Sequence, residues 1–327
     1  MVSVFCHLVL SQLCGFSFAR VKEPSHERCL VLRLRTSRRK SRRAAVAEVL
    51  GLLRGLDIRP ASGGPLAEIR GTAWVNVAHE DLDDALGRLH RLGYTAAVDL
   101  VTPIGDSKKG ERSAVTWWQG NEVALVNIWS ERDQEMRATA PDRRSFLLEC
   151  ADGVTRRIEG YRGGAGALER RALPVEDARL LVNLVSIGPG GRFLDPFAGA
   201  GAVVLAARSR GFATTSLDVE RKLRFGLAEL SGHHVVGDAS ALPFADCSFD
   251  AIATEPPYHS SALELLKRSI REAARVARRG ARVAFLVASS QADDAREAGQ
   301  LAGQTLEFEE EIDRKGTLVS CLCWIRP

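Results

Sequence analysis

A chain of 327 residues and 35.6 kDa is long enough for about two domains. At 45% apolar and 26% charged residues, with 29 Gly and 12 Pro, it has an ordinary globular composition, which excludes collagen-like, low-complexity and wholly disordered descriptions. The net charge of +4 is uneven: residues 20–60 hold twelve Lys/Arg against four Asp/Glu, a surplus of eight, so the rest of the chain is net acidic. A basic stretch of this kind suits a polyanion such as nucleic acid or an anionic membrane surface, or is simply a solvated face.

The seven Cys, at 6, 14, 29, 150, 247, 321 and 323, are scattered and form no C-x-x-C pair. Neither a zinc ribbon nor a disulfide scaffold is indicated, and reduced thiols in a cytoplasmic protein are expected. The first nineteen residues are apolar but are broken by Ser3, His7, Ser11, Gln12 and Ser17, and they lack a basic start. A disordered extension over 1–25 is expected there, in place of a signal peptide or a membrane span of about 20 apolar residues. No later stretch resembles a span.

Residues 28–35 alternate as a strand does. Ala44, Ala45, Val46, Val49, Leu50 and Leu53 fall at helical spacing behind Ser41, a plausible N-cap, which predicts a helix over 41–54. A loop spans Pro60 to Pro65. A strand near 67–77, a helix near 80–92 that stops at Gly93, and a strand near 94–101 follow. This β-α-β-α-β order suits a small α+β module of ferredoxin-like type over 26–160, serving as a substrate-binding module. Residues 103–112 read as a loop. Short strands are expected at 123–129, 145–150 and 154–158, with Asp152 and Gly153 as a turn, and residues 162–166 as a linker. A helix is expected at 175–187, opened by Pro174.

From 192 the pattern changes. Strands at 192–195, 213–217, 234–236, 250–254 and 281–288 alternate with helices at 202–210, 221–230 and 261–279, and a strand pair at 305–313 and 317–325 closes the chain. The expected fold over 170–327 is α/β: a Rossmann-like, doubly wound, mostly parallel sheet with an antiparallel C-terminal strand pair.

Four motifs stand at successive strand ends. In Asp195-Pro196-Phe197-Ala198-Gly199-Ala200-Gly201 an apolar strand ends in an acid, and a small-residue loop opens a helix. Glycines there allow positive φ and close approach of a ligand to the backbone, and helix-start amides meet anionic groups. Asp218, at the end of the next strand, is placed to accept from the hydroxyls of a ribose. Asp238, followed by Ala239, could accept from an adenine amine, or could simply close an Asx turn. Glu255-Pro256-Pro257-Tyr258 combines a carboxylate, outward carbonyls and an aromatic ring. Such a loop could hold a planar base by its exocyclic amine, or could be a rigid turn with a packing Tyr. Each motif is weak alone; their order is far more specific.

These motifs, DPFAGAG, LDVE, GDASALPF and EPPY, resemble those of class I S-adenosylmethionine-dependent methyltransferases. Within that class they are most similar to the RNA methylase family that includes the THUMP-type tRNA guanine-N2 methyltransferases. Leu173–Leu184 is also similar to that family. The resemblance implies S-adenosyl-L-methionine held by Asp195, Phe197, Ala198, Gly199, Gly201, Asp218, Asp238 and Ala239, with no metal. It implies methyl transfer to an exocyclic amine of an RNA base, most readily guanine N2 of tRNA, with rRNA as a further RNA substrate and no membrane partner. Glu255 and the Pro256 carbonyl would accept from the amine, Pro257 would stiffen the loop, and Tyr258 would stack on the base. Arg38, Arg39, Lys40, Arg42 and Arg43 would track phosphates.

Two departures stand out. Position 255 is Glu where the family has Asp or Asn, and Tyr258 is followed by His259. The extra methylene moves the carboxylate outward by roughly 1.3–1.5 Å. A misplacement of about 1 Å can cost about 10²-fold in rate. Methyl transfer to DNA or protein, and a non-catalytic RNA-binding factor that keeps the cofactor fold, are the alternatives. His233-His234, Cys247 and the Trp117-Trp118 pair carry no ligand or nucleophile signal of their own.

Overall fold

The computed structural model describes residues 27–61, 71–107, 112–118, 121–130, 145–149, 155–159, 173–223, 227, 233–314 and 316–327. The expected extension over 1–25, the turn at Asp152 and Gly153, and the linker over 162–166 lie outside them.

The first sheet has six antiparallel strands in the order β2-β3-β1-β4-β6-β5. In chain order its elements are β1 (Glu27–Leu34), α1 (Arg42–Leu52), β2 (Ile58–Pro60), β3 (Thr72–Ala78), α2 (Leu82–Arg88), β4 (Thr95–Pro103), β5 (Arg112–Trp118) and β6 (Asn121–Ser130). The run βαββαβ with β1 between β3 and β4 is the ferredoxin-like arrangement, here extended by β6 and β5. The short β2, which ends where the expected loop from Pro60 to Pro65 begins, completes it. A separate hairpin pairs β7 (Ser145–Glu149) with β8 (Thr155–Glu159).

The second sheet has seven strands in the order β11-β10-β9-β12-β13-β15-β14. They are β9 (Arg192–Asp195), β10 (Ala213–Asp218), β11 (His233–Val236), β12 (Phe249–Thr254), β13 (Ala277–Ala288), β14 (Thr305–Arg314) and β15 (Thr317–Ile325). The first five are parallel, and β15 runs antiparallel to both β13 and β14. The helices are α3 (Val175–Leu184), α4 (Ala202–Ser209), α5 (Leu263–Val276) and α6 (Ala292–Leu301).

Strand alternation sorts the core. Phe193, Ala251, Ala253, Ala284, Leu286, Cys321 and Cys323 pack with α3 and α4, while Leu194, Ile252, Val283, Phe285, Leu322 and Trp324 pack with α5 and α6. Both faces are buried, as a mostly parallel sheet requires. The first of these clusters continues without a break into Leu30, Leu32, Val49, Leu52 and Tyr94 of the six-stranded sheet. The two sheets therefore share one core.

Their seam is close-packed. A Cβ on Gly51 of α1 would lie 2.2 Å from the Asn183 carbonyl oxygen of α3, so only glycine lets the helices approach this far. The Glu48 carboxylate is fully buried there, and accepts from the amides of Gly93 at 2.6 Å and Tyr94 at 3.0 Å and from Asn183 Nδ2 at 2.9 Å. A buried carboxylate is tolerated only with such partners. Among the described residues no helix is long and apolar enough to cross a membrane.

Candidate active site

The loop between β9 and α4 bends where the sequence places glycine. Gly199 has φ 50° and Gly201, the residue capping α4, has φ 86°. Gly199 donates its amide to Asp218 Oδ2 at 2.8 Å, and Glu220 donates to Asp218 Oδ1 at 2.8 Å. The Asp218 carboxylate at the end of β10 is thus fixed by one amide on each oxygen. Each oxygen keeps a lone pair for a ligand hydroxyl. Asp238 is exposed and closes an Asx turn by accepting from Ser240 N at 2.8 Å. Ala198 and Ala239 are buried in the core, so they meet a ligand only through their backbones. Phe197 is half-buried beside them.

Asp195 is 1% exposed and lies under the loop, not on its surface. Its Oδ1 accepts from Thr254 Oγ1 at 2.7 Å and from Phe197 N at 3.2 Å, and Phe197 N also reaches Thr254 Oγ1 at 3.1 Å. What Asp195 does for a ligand it therefore does by holding the loop. Burial pushes its carboxyl up to about 7, against the hydrogen bonds from Thr254 and Phe197. Thr254 is fully buried and immediately precedes Glu255. The three-way bond thus joins the β9 loop to the β12 loop.

S-adenosylmethionine fits this donor set. A fixed carboxylate stands at the end of β10 for a diol, a second acid follows β11, and the loop is open above Gly199. A Cβ at Gly199 would meet nothing nearer than the Phe197 carbonyl oxygen at 3.9 Å. Gly199→Leu is expected to fill that space, weakening S-adenosylhomocysteine binding by about tenfold or more in titration calorimetry. The control is Gly190→Leu, at φ 79° and also in open space. It carries comparable backbone strain and should leave the affinity unchanged; equal losses in both would sink the assignment.

The β12 loop is more tightly held than the sequence implies. Tyr258 donates its hydroxyl proton to Glu255 Oε1, and Arg314 Nη1 donates to the same oxygen at 2.7 Å and to the Tyr258 hydroxyl at 3.0 Å. Glu255 Oε1 is therefore already engaged, and any bond to a substrate amine falls to Oε2. Burial pushes the Glu255 carboxyl up, while Arg314 and the Tyr258 hydroxyl pull it down. Pro256 is buried, and Pro257 and Tyr258 are half-buried.

The basic run divides. Arg39, Lys40 and Arg43 are exposed and Arg42 is half-buried, which is compatible with phosphate contacts. Arg38 is a correction: it is 3% exposed and faces the core. Its Nη2 donates to Asp177 Oδ1 and Oδ2, both at 2.9 Å, and its Nε donates to Oδ1 at 3.2 Å. A charge run does not say which member points inward; the buried Asp177 on α3 decides it.

Arg314, Asp177 and Thr254 are absent from the sequence-based site. Thr254 carries a local signal, as a polar residue ending an apolar strand beside the EPPY motif, and Asp177 lies within the family-like stretch Leu173–Leu184. Among the described residues no His/Cys/Asp/Glu group has metal-site geometry. His234 Nδ1 instead lies 2.9 Å from Ser216 Oγ.

A family model described as a methyltransferase domain matches residues 194–285. The chain is 28% identical over 243 residues to a tRNA (guanine(10)-N2)-dimethyltransferase of Pyrococcus abyssi (strain GE5 / Orsay), covering 69% of this chain and 64% of that protein. It thus spans less than two thirds of that relative's length. A protein of the same name from Methanothermobacter thermautotrophicus is 33% identical over 91 residues, covering 26% of this chain and 27% of that one. TrmN from Thermus thermophilus superposes with a TM-score of 0.49 at 15% identity, covering 92% of this chain and all of that one.

Proposed function

With the C-terminal half of the chain a class I, S-adenosylmethionine-dependent methyltransferase domain, we propose that the protein methylates an exocyclic amine of a base in tRNA in the cytoplasm, with guanine N2 as the target. The observation that carries the reading is the bond set among Thr254, Asp195 and Phe197, which puts the cofactor loop and the Glu255–Tyr258 loop side by side. Two relatives named for transfer to that nitrogen support the substrate class. The exposed Arg39, Lys40 and Arg43 support a polyanionic partner.

When bound, the cofactor supplies an electrophilic methyl group on a sulfonium. The chain's own residues supply position. The lone pair of an exocyclic amine is delocalised into the base, and hydrogen bonds from that amine to the Pro256 carbonyl and Glu255 Oε2 localise it on nitrogen. The Tyr258 ring gives the base a stacking face. Held by the Gly199 loop and Asp218, the cofactor would give up its methyl group to the amine nitrogen, with its sulfur as the group that would keep the electron pair. The amine proton then has the Glu255 carboxylate as the loop's titratable acceptor. Pro257 keeps the loop from relaxing. Holding the reacting atoms in line accounts for most of the rate.

The test is transfer from labelled S-adenosylmethionine to bulk tRNA, rRNA, DNA and protein, with Glu255→Ala alongside. Label is expected in tRNA, falling by about 10²-fold or more in the variant. Label in DNA or protein alone would replace the substrate class. Cofactor binding without label in any pool would make the chain a non-catalytic RNA-binding factor.

A further inference from the structure

The reading above uses the β12 loop but not the charges behind it. Arg314, at the end of β14, is 17% exposed and bridges two carboxylates. Its Nη1 meets Glu255 Oε1 at 2.7 Å, and its Nε lies 3.2 Å from Asp177 Oδ2. Asp177 is 1% exposed and also accepts from Tyr94 Oη at 2.6 Å and from Arg38. Arg38 and Tyr94 belong to the six-stranded half, Asp177 to α3, Arg314 to β14, and Glu255 and Tyr258 to the β12 loop. Six side chains from four parts of the fold thus form one chain of hydrogen bonds and ion pairs that ends on the acceptor loop.

We infer that Arg314 is the positioning residue of this loop: clamped from behind by Asp177, it sets the Glu255 carboxylate and the Tyr258 hydroxyl, and through Asp177 and Arg38 it ties their placement to the docked N-terminal half. The inference rests on the reading of residues 255–258 as the acceptor loop. It also explains the departure from the family at 255. The extra methylene of Glu carries the carboxylate out to Arg314, so the longer side chain comes with its own partner.

The charges facing Glu255 are Arg314 from β14 and Asp177 from α3, with Asp195 beneath the neighbouring loop and the Tyr258 hydroxyl on its own loop. Arg38 neutralises Asp177 from the other side. Two guanidinium groups stand against two carboxylates, and Glu176 lies 3.5 Å from Arg38 at the margin. Without Arg314, Glu255 keeps its burial and its carboxylate neighbours and loses the opposing cation. Its carboxyl must then hold a proton to higher pH. An ion pair that served only stability would not couple to this titration in the same way, and its loss would leave the reaction rate of folded protein intact.

The experiment uses the full chain labelled with 13C-carboxyl glutamate, the Glu255 resonance being assigned by its loss in Glu255→Gln. In Arg314→Met the Glu255 titration midpoint is expected to rise by about one pH unit or more. Methyl transfer to tRNA should fall by about 10²-fold in kcat, while S-adenosylhomocysteine affinity stays within about twofold. Arg314→Lys restores a charge without the fork. Its titration should return toward wild type while its rate stays low. A folded Arg314→Met with an unmoved Glu255 titration overturns the inference, as does a kcat within about threefold of wild type. If Arg314→Met does not fold, Arg314→Lys decides: a rate loss of about tenfold or more supports the role, and an unchanged rate overturns it. If the wild-type protein methylates no RNA, the proposed function fails, and the titration alone decides the inference.

Discussion

Arg38→Met is expected to destabilise the full chain by about 3 kcal/mol or more, the low end of the range for breaking a buried ion pair. Arg38 is 3% exposed, and removing its guanidinium strips Asp177, 1% exposed, of three charge-assisted hydrogen bonds. The Tyr94 hydroxyl and Arg314 still face Asp177, which keeps the loss from reaching the upper end of that range. Chemical denaturation of the full chain measures it. The same variant separates the buried role from a phosphate contact. A phosphate contact would lower the slope of log affinity for tRNA against log salt by about one and leave stability nearly unchanged. That behaviour is expected of Arg39→Ala and Arg43→Ala, which start from exposed positions. A stable Arg38→Met with a reduced salt slope would mean that the side chain faces RNA.

The four strand-end motifs were legible because each is local: an acid, glycines or prolines within a few residues of a strand, whose alternation shows where it ends. The order βαββαβ was partly legible for the same reason, although the three-residue β2 is too short to show an alternation of its own. Helix α6 (Ala292–Leu301) shows no apolar stripe in the sequence: its buried positions are Ala292, Ala295, Ala298 and Gly299, all too small to stand out. The junction of α5 and β13 was blurred because Val276 passes into Ala277 without a glycine or proline between them. Inward and outward arginines look alike in a basic run, so the sequence does not set the buried Arg38 apart from its exposed neighbours. Arg314 could not have been found at all. It lies 59 residues from Glu255, and only the return of β14 along the sheet edge, with its end over the β12 loop, brings them together.

Glu255→Asp, the change toward the family residue, is expected to slow methyl transfer by about 10²-fold. The shorter side chain draws the carboxylate back by about 1.5 Å, lengthening the 2.7 Å contact with Arg314 to about 4 Å, beyond hydrogen-bond range. The Tyr258 hydroxyl then keeps only Arg314, and the loop loses the bond that closes it. Cofactor affinity should not change, because Asp218 and Gly199 are held by their own amides. If Glu at 255 were only a tolerated defect, Glu255→Asp would instead be as fast as wild type or faster. A double-mutant cycle separates these cases. In an Arg314→Met background the carboxylate has no guanidinium to reach, so shortening it should cost little more. Two single losses of about 10²-fold each, with a double variant no slower than either, would show that Glu255 and Arg314 act as one unit. Fully multiplied losses would show that they act separately.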